Sequence, residues 1–517
     1  MSLLVIMFSL LLAIFSYSLL KYLIMRKQGH RLPLPPGPKP WPIIGNLPHM
    51  GPMPHQNLAA LARSYGPLLH LRLGFVDVVV AASAAVAEQF LKIHDANFSS
   101  RPPNAGAKYI AYNYHDIVFS PYGSRWRLLR KISSVHLFSA KALDDYRHVR
   151  KEEVAALALK LASSRARPVS LGQLLNICTA NTLGRVMLGR RVFSDGGDGS
   201  HGGDPKADEF KSMVVEVMVL SGMFNIGDFI PALEWLDLQG IVSKMKKLHQ
   251  KFDKFLSDVL EEHKRLMNKS DDQKQTDMLS TLISFQSEEG KLTDTEIKAV
   301  LLNMFLAGTD TSSSTVEWAM AELIRHPKIL AQVQQELDSV VGKDRLVSEL
   351  DLPKLTYFQA FIKETFRHHP STPLSLPRIA AESCVINGYH IPKGSTLLVN
   401  IWAIGRDPNK WAEPLEFRPE RFLAGGEKAD VDVRGNDFEV IPFGAGRRIC
   451  AGMTLGLRMV QLLTATLAHA FDWDLPEGLT PESLDMEEVY GLTLQRLVPL
   501  TVHPMPRLSN NAYQGSI

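Results

Sequence analysis

From Ser2 to Leu20 the chain carries no charge and consists mostly of Leu, Ile, Val, Met and Phe. Few features restrict a fold as much, because such a run has to leave water. Coiled as a helix it reaches about 28 Å, close to the hydrocarbon thickness of a bilayer. Lys21, Arg26, Lys27 and Arg31 follow it. A cleaved signal peptide expects positive charge before the apolar stretch and a small-residue cleavage site after it. Neither is present, so the pattern predicts a retained transmembrane anchor over 2–25 with the rest of the chain cytoplasmic. A buried core helix would leave the basic cluster unexplained. Pro33–Pro42 then places six prolines in ten residues, which neither a helix nor a central strand tolerates. The segment predicts a stiff hinge over 33–42, with a globular body from 43 to 517.

The body has the means to form one large core: 45% of the 517 residues are hydrophobic. The 57 Lys+Arg against 54 Asp+Glu leave a net charge of +3, which argues against a nucleic-acid partner and against a disordered chain. Three cysteines, Cys178, Cys384 and Cys450, exclude a disulfide-dense secreted scaffold. Periodicity predicts a hairpin over Leu68–Val80 turning at Gly74. Helices are expected through most of 84–188, then near 208–222, 240–268, 292–324, 356–368 and 451–469. Thr293 and Glu296 form a plausible capping box for the longest. Asn387-Gly388 marks a second hairpin, and 489–502 reads as a terminal strand pair. The glycine-rich stretch 193–208 reads as a surface loop, with His201 in solvent. The fold class is mainly α with small β-sheets, in one globular unit without repeats. Dinucleotide, phosphate-loop, zinc-protease and serine-hydrolase motifs are absent, so a nicotinamide cofactor would act from elsewhere.

The segment Phe443–Gly452 carries the most chemistry. Gly444 and Gly446 permit sharp turns, and Cys450 stands before an expected helix, close to Arg447 and Arg448. A helix N-terminus and cations both favour a thiolate. Such a sulfur suits a nucleophile, a redox sensor or a metal ligand. Local sequence supplies no base for a nucleophile, which leaves haem ligation and an inert core cysteine as even alternatives.

The same segment resembles the haem-binding signature F-x-x-G-x-R-x-C of the cytochromes P450, through Phe443, Gly446, Arg448 and Cys450. Four further elements of that family appear in order. Trp126 and Arg130 resemble its W-x-x-x-R element. Ala307-Gly308-Thr309-Asp310-Thr311 is similar to its oxygen-binding groove. Glu364 and Arg367 match E-x-x-R, and Pro419–Phe422 matches P-E-R-F. The resemblance implies a cytochrome P450 fold with haem b, whose iron takes Cys450 as axial ligand. It implies that Thr311, assisted by Asp310, handles oxygen and protons. For Thr311 the bland alternative is a bond to its own i−4 carbonyl, and for Asp310 a structural ion pair. Glu364, Arg367 and Arg421 would form a supporting network. Arg448, Trp126, Arg130, Arg378 and Phe443 would hold the cofactor, and Phe305, Ala307, Leu374, Leu376 and Leu492 would line the substrate pocket. Arg125, Arg127 and Lys131 crowd the Trp126 helix and suit a docking face for an acidic electron donor.

A closer similarity, in Val78–Ser83, Phe98–Asn104, Gly425–Lys428, Val431–Gly435 and Tyr490–Arg496, is to plant members that hydroxylate the flavonoid B ring at the 3′ position. It implies an oxygenase of the endoplasmic reticulum membrane. Substrates would be a flavonoid and O2, with NADPH used indirectly through cytochrome P450 reductase. A 3′,5′-hydroxylase, a P450 acting on another plant phenolic, and a haem-binding sensor without turnover remain the alternatives.

Overall fold

The computed structural model describes residues 32–164, 167–193, 205–269, 277–286 and 292–514, together with Leu12, Phe15 and Ser16. The anchor expected over 2–25 and the glycine-rich stretch around His201 therefore lie largely outside the described residues. Among those described, one other stretch is long and apolar enough to span a membrane, Ser212–Phe229. Met213, Val214, Val217 and Met218 are buried in the main core, which reads as a core helix.

The proline-rich segment 33–42 is strapped to the body. The Pro36 carbonyl accepts the His70 N–H at 2.9 Å, and the Pro33 carbonyl accepts that of His390 at 2.8 Å. Asn46 donates its side chain to Pro38 at 3.1 Å. Proline lacks the N–H that a ladder needs but keeps its carbonyl, so the prolines dock as acceptors, and Trp41 adds one donor, to the Gly45 carbonyl at 3.0 Å.

The hairpin forms as the alternation predicts, with β1 (Leu68–Leu73) antiparallel to β2 (Val76–Ala81). Arg378–Ile379 (β3) and Thr396–Val399 (β4) complete a four-stranded sheet in the order β1-β2-β4-β3. Gly74, at φ +57°, turns the hairpin where an added Cβ would strike the Phe229 carbonyl. Asn387 and Gly388, both at positive φ, make the turn of the small hairpin Cys384–Ile386/Tyr389–Ile391. The terminal strand pair is divided between two sheets. Glu488–Val489 pairs with Gln495–Arg496, whereas Thr501–Pro506 joins Phe471–Asp474 and Val169–Ser170.

Five helices place the site. They are α1 (Ser124–Ile132), α2 (Leu171–Leu188), α3 (Asp294–Arg325), α4 (Thr356–His368) and α5 (Met453–Ala470). Helix α3 runs through the core against α2 and α5. Its start carries the expected capping box: Glu296 N–H donates to Thr293 Oγ1 at 3.2 Å, and Thr293 N–H to Glu296 Oε2 at 2.9 Å. His326-Pro327 ends it, because the residue before proline is pushed out of helical geometry.

Candidate functional site: a cavity between a cysteine loop and the central helix

From Ile297 to Ile324, helix α3 is buried at every position except Lys298, Ala307, Gly308, Thr311 and Glu317. Ala307, Gly308 and Thr311 share one face and open into a cavity of about 310 Å³. Small side chains make this opening. Gly308 also lets α2 approach, since an added Cβ would come within 2.8 Å of Leu183 Cδ1. Thr311 Oγ1 donates to the Ala307 carbonyl at 2.6 Å. The i−4 bond foreseen as the bland reading is thus present, and the hydroxyl's acceptor side still lines the cavity.

The loop 443–452 forms the facing wall. Gly444 and Gly446 both stand at φ +69°. At Gly446 a Cβ would lie 2.3 Å from the Leu91 carbonyl oxygen, so this position needs glycine on two counts. Cys450 N–H closes the loop onto the Phe443 carbonyl at 2.9 Å. The helix begins at Met453, two residues later than the sequence pattern suggests. Cys450 presents its surface to the cavity. Burial pushes its thiol up, against the pull of the Gly452 N–H and Arg130. A backbone N–H and an arginine thus favour the thiolate as expected, and burial opposes them. Iron would deprotonate the sulfur outright.

Around this wall stand Arg101, Arg130, Arg378 and Arg448, all lining the cavity. Arg448 donates to the carbonyls of Ser99 (2.6 Å) and Ser120 (2.5 Å), and its Nη1 has no partner. Arg378 donates to the Ala445 carbonyl at 2.7 Å and lies 3.4 Å from Asp95. Burial, with mutual repulsion in the case of Arg448, lowers both guanidinium pKa values to about 10. Asp116 is their buried neighbour, and burial lifts its carboxyl to about 6. A cluster of buried cations with so little carboxylate nearby fits a group carrying two acidic arms. A free sulfur on the same cavity fits iron. The donor set therefore suits haem, which Cys450, Arg130, Arg378 and Arg448, with Arg101 added, would hold.

Several expectations change here. Trp126 lines the cavity, and its N–H donates to the Ile117 carbonyl at 3.0 Å. Its ring carries the Arg448 guanidinium at 4.3 Å. Phe443, Ala307, Leu376 and Leu492 line the cavity, whereas Phe305 and Leu374 do not. Phe305 turns into the main core, and Leu374 packs beneath the four-stranded sheet. Asp310 also lies off the cavity wall. Its carboxylate accepts Thr493 Oγ1 and, at 2.8 Å, Gln495 Nε2. Burial raises its pKa. Thr493 itself does line the cavity, so Asp310 reaches it through one hydroxyl. Arg125 pairs with buried Glu296 yet stays exposed, as do Arg127 and Lys131.

Glu364 binds Arg367 in bidentate fashion at 2.6 and 2.7 Å, and Arg421 stands at 3.4 Å. Arg367 further grips the carbonyls of Gly405, Pro414 and Glu416, and Arg421 those of Ala412, Glu413 and Glu416. The network ties the irregular segment 405–427 rather than the cysteine loop itself. Sequence reasoning assigned no role to Arg101 or Asn303. Arg101 donates to the Val118, Leu376 and Pro377 carbonyls. Asn303 Oδ1 accepts the N–H groups of Ile117 and Val118. Only the fold brings these distant segments together.

One cysteine sulfur, a cationic rim and an open helix groove around a single cavity define the site of a haem-thiolate protein. The Cytochrome P450 family model matches residues 35–499, and the chain belongs to that family. It is 69% identical to the flavonoid 3′-monooxygenase of Petunia hybrida over 516 residues, covering 98% of this chain and 99% of that one. Identity to the flavonoid 3′-monooxygenase of Arabidopsis thaliana is 68% over 493 residues, 94% of each chain. Similarity to the flavonoid 3′,5′-hydroxylase of Eustoma exaltatum subsp. russellianum is lower, at 50% over 98% of this chain and 97% of that one.

Proposed function

We propose that this chain is a flavonoid 3′-monooxygenase. It inserts one oxygen atom of O2 into the B ring beside the existing hydroxyl, with electrons drawn from NADPH through a reductase. The observation that carries the reading is the single cavity onto which both Cys450 and the Ala307–Thr311 groove open. The higher identity to 3′-monooxygenases than to a 3′,5′-hydroxylase supports one hydroxylation rather than two.

Haem, when bound through Cys450, supplies oxygen activation, and the anionic sulfur favours O–O cleavage. The protein's own groups prepare and protect that step. Ala307 and Gly308 leave room for a diatomic ligand. Thr311, with its proton directed at the Ala307 carbonyl, offers a lone pair to a water or a protonated oxygen. Asp310 connects through the Thr493 hydroxyl, and its raised pKa suits a group that holds and passes a proton. Apolar side chains, among them Ile110, Val118, Leu376 and Leu492, exclude water from the reacting ring. We assign residues 2–25 to an anchor in the endoplasmic reticulum membrane, 33–42 to a hinge, and 43–517 to one cytosolic catalytic domain.

The test is coexpression with a plant P450 reductase in microsomes supplied with naringenin and NADPH. Eriodictyol as the only product supports the reading. A trihydroxylated B ring moves the chain to the 3′,5′ class. No product from protein with a normal carbon monoxide spectrum removes the flavonoid assignment.

A further inference from the structure

Behind the Glu364–Arg367 pair, where α3 ends against α4, three ligand-type atoms converge. Glu322 Oε1 lies 2.6 Å from His369 Nε2. His369 Nε2 lies 3.2 Å from His368 Nδ1, and His368 Nδ1 lies 3.8 Å from Glu322 Oε1. Two donor atoms bound tetrahedrally to zinc stand about 3.3 Å apart, given bonds of roughly 2.0–2.1 Å. The three separations bracket that value. The hydrogen-bond pattern also fixes which atoms carry lone pairs. His368 Nε2 donates to the Leu415 carbonyl at 3.2 Å, which leaves Nδ1 as an acceptor. His369 Nε2 donates its proton to Glu322, so one proton sits among three electron pairs.

We propose that Glu322, His368 and His369 form a three-ligand site, with its fourth position open, for a divalent transition metal of the zinc type. The metal takes the place of the shared proton. That proton moves to His369 Nδ1, which has no acceptor among the described residues, so this imidazole, unlike His368, is left without an outer hydrogen bond. The outer contacts suit such a site. The Leu415 carbonyl orients His368, as backbone acceptors orient ligating imidazoles elsewhere. The Trp318 ring stacks on His369 at 4.2 Å. His326 Nδ1 stands 3.2 Å from the second carboxylate oxygen of Glu322, with its side chain partly in solvent, which gives a route of entry. Of the nearby guanidiniums, Arg367 is paired with Glu364, whereas Arg406 donates to the His368 carbonyl at 2.6 Å and lies over the Trp402 ring. Nothing in this site touches the cavity, and the inference does not depend on the flavonoid assignment.

The experiment uses full-length, untagged, haem-loaded protein in detergent, stripped with a chelator. Zn2+ is added, unbound metal is removed by desalting, and bound zinc is counted by mass spectrometry. Affinity follows by competition with a colorimetric zinc indicator. One zinc per chain is expected, with affinity weakened about tenfold or more in His368→Ala, given the loss of one of three ligands. The carbon monoxide spectrum of that variant should be unchanged. His368→Ala is preferred because it spares the Glu322–His369 bond, and His368→Gln serves if the alanine variant fails to fold. Substoichiometric zinc, or equal affinity in wild type and the His368 variant, would show a hydrogen-bonded cluster only and overturn the proposal.

Discussion

Two groups of buried arginines lie in this molecule, and they have opposite electrostatic circumstances. In the first, Arg367 and Arg421 meet the Glu364 carboxylate and a set of backbone carbonyls, and all three side chains are fully buried. In the second, Arg101, Arg378 and Arg448 repel one another around the cavity, with burial lowering the pKa of each. One guanidinium nitrogen there has no acceptor. The first group is complete within the protein and can only be structural. The second is complete only when an anionic group arrives, which is what a binding site for a dicarboxylate looks like before binding.

The comparison breaks most violently at Glu364. Glu364→Gln keeps the shape but leaves buried Arg367 without a carboxylate and Arg421 with Glu427 alone, a change that costs about 3–5 kcal/mol. Loss of folded haem protein is expected, read as loss of the carbon monoxide spectrum and a lower melting temperature. Retention of both would mean that the carbonyls alone suffice. At the cavity, Arg448→Lys should leave the fold standing and act on the cofactor. Hydrogen bonds to charged groups contribute about 1.5–3 kcal/mol each, so haem release should accelerate by on the order of 10²-fold. Transfer of haem to a globin acceptor measures it, and an unchanged rate would remove Arg448 from the cofactor's holders.

A smaller effect sharpens the contrast through pH. Asp116 titrates near 6 in the folded chain, above the ordinary range for an unfolded aspartate. The folded state therefore binds the extra proton between about pH 4 and 6, and stability falls as pH rises across that window. A shift of this size corresponds to about 3 kcal/mol in all. Asp116→Asn should flatten the melting-temperature profile between pH 4 and 6. An unaltered slope would place the titration on another group.

The completed group was legible in the sequence because Glu364 and Arg367 are three apart on one helix, and P-E-R-F is contiguous. Cys450 and Thr311 were legible for the same reason, each sitting in a short local pattern. The incomplete group was only half legible. Arg101 sits in an irregular loop, and its place beside Arg378 and Arg448 depends on the 99–120 segment folding over the cavity. Periodicity could not separate Phe305, which faces the core, from Ala307, which faces the cavity. Nor could it show that Trp126 supports Arg448 while its N–H bonds Ile117. Those outcomes depend on which neighbour claims a donor first, and that is decided by tertiary packing.

Thr311 belongs to neither group, and this makes it the finest test. Its hydroxyl donates to the Ala307 carbonyl, so it is satisfied like the first group, yet it faces the cavity like the second. If it acts only as a helix bond, Thr311→Ala removes a contribution of about 0.5–1.5 kcal/mol. Much of that is regained through the better helix propensity of alanine, by up to about 0.7 kcal/mol. The melting temperature should therefore scarcely move in Thr311→Ala. Product formed per NADPH consumed should fall sharply, with hydrogen peroxide rising in compensation, because a lone pair facing the cavity has been lost while the fold has not. Thr311→Ser, which keeps the hydroxyl, should restore most of the coupling. Equal coupling in wild type and Thr311→Ala would mean that the bond to Ala307 is all that this hydroxyl does, and proton delivery would then fall to the Asp310–Thr493 pair alone.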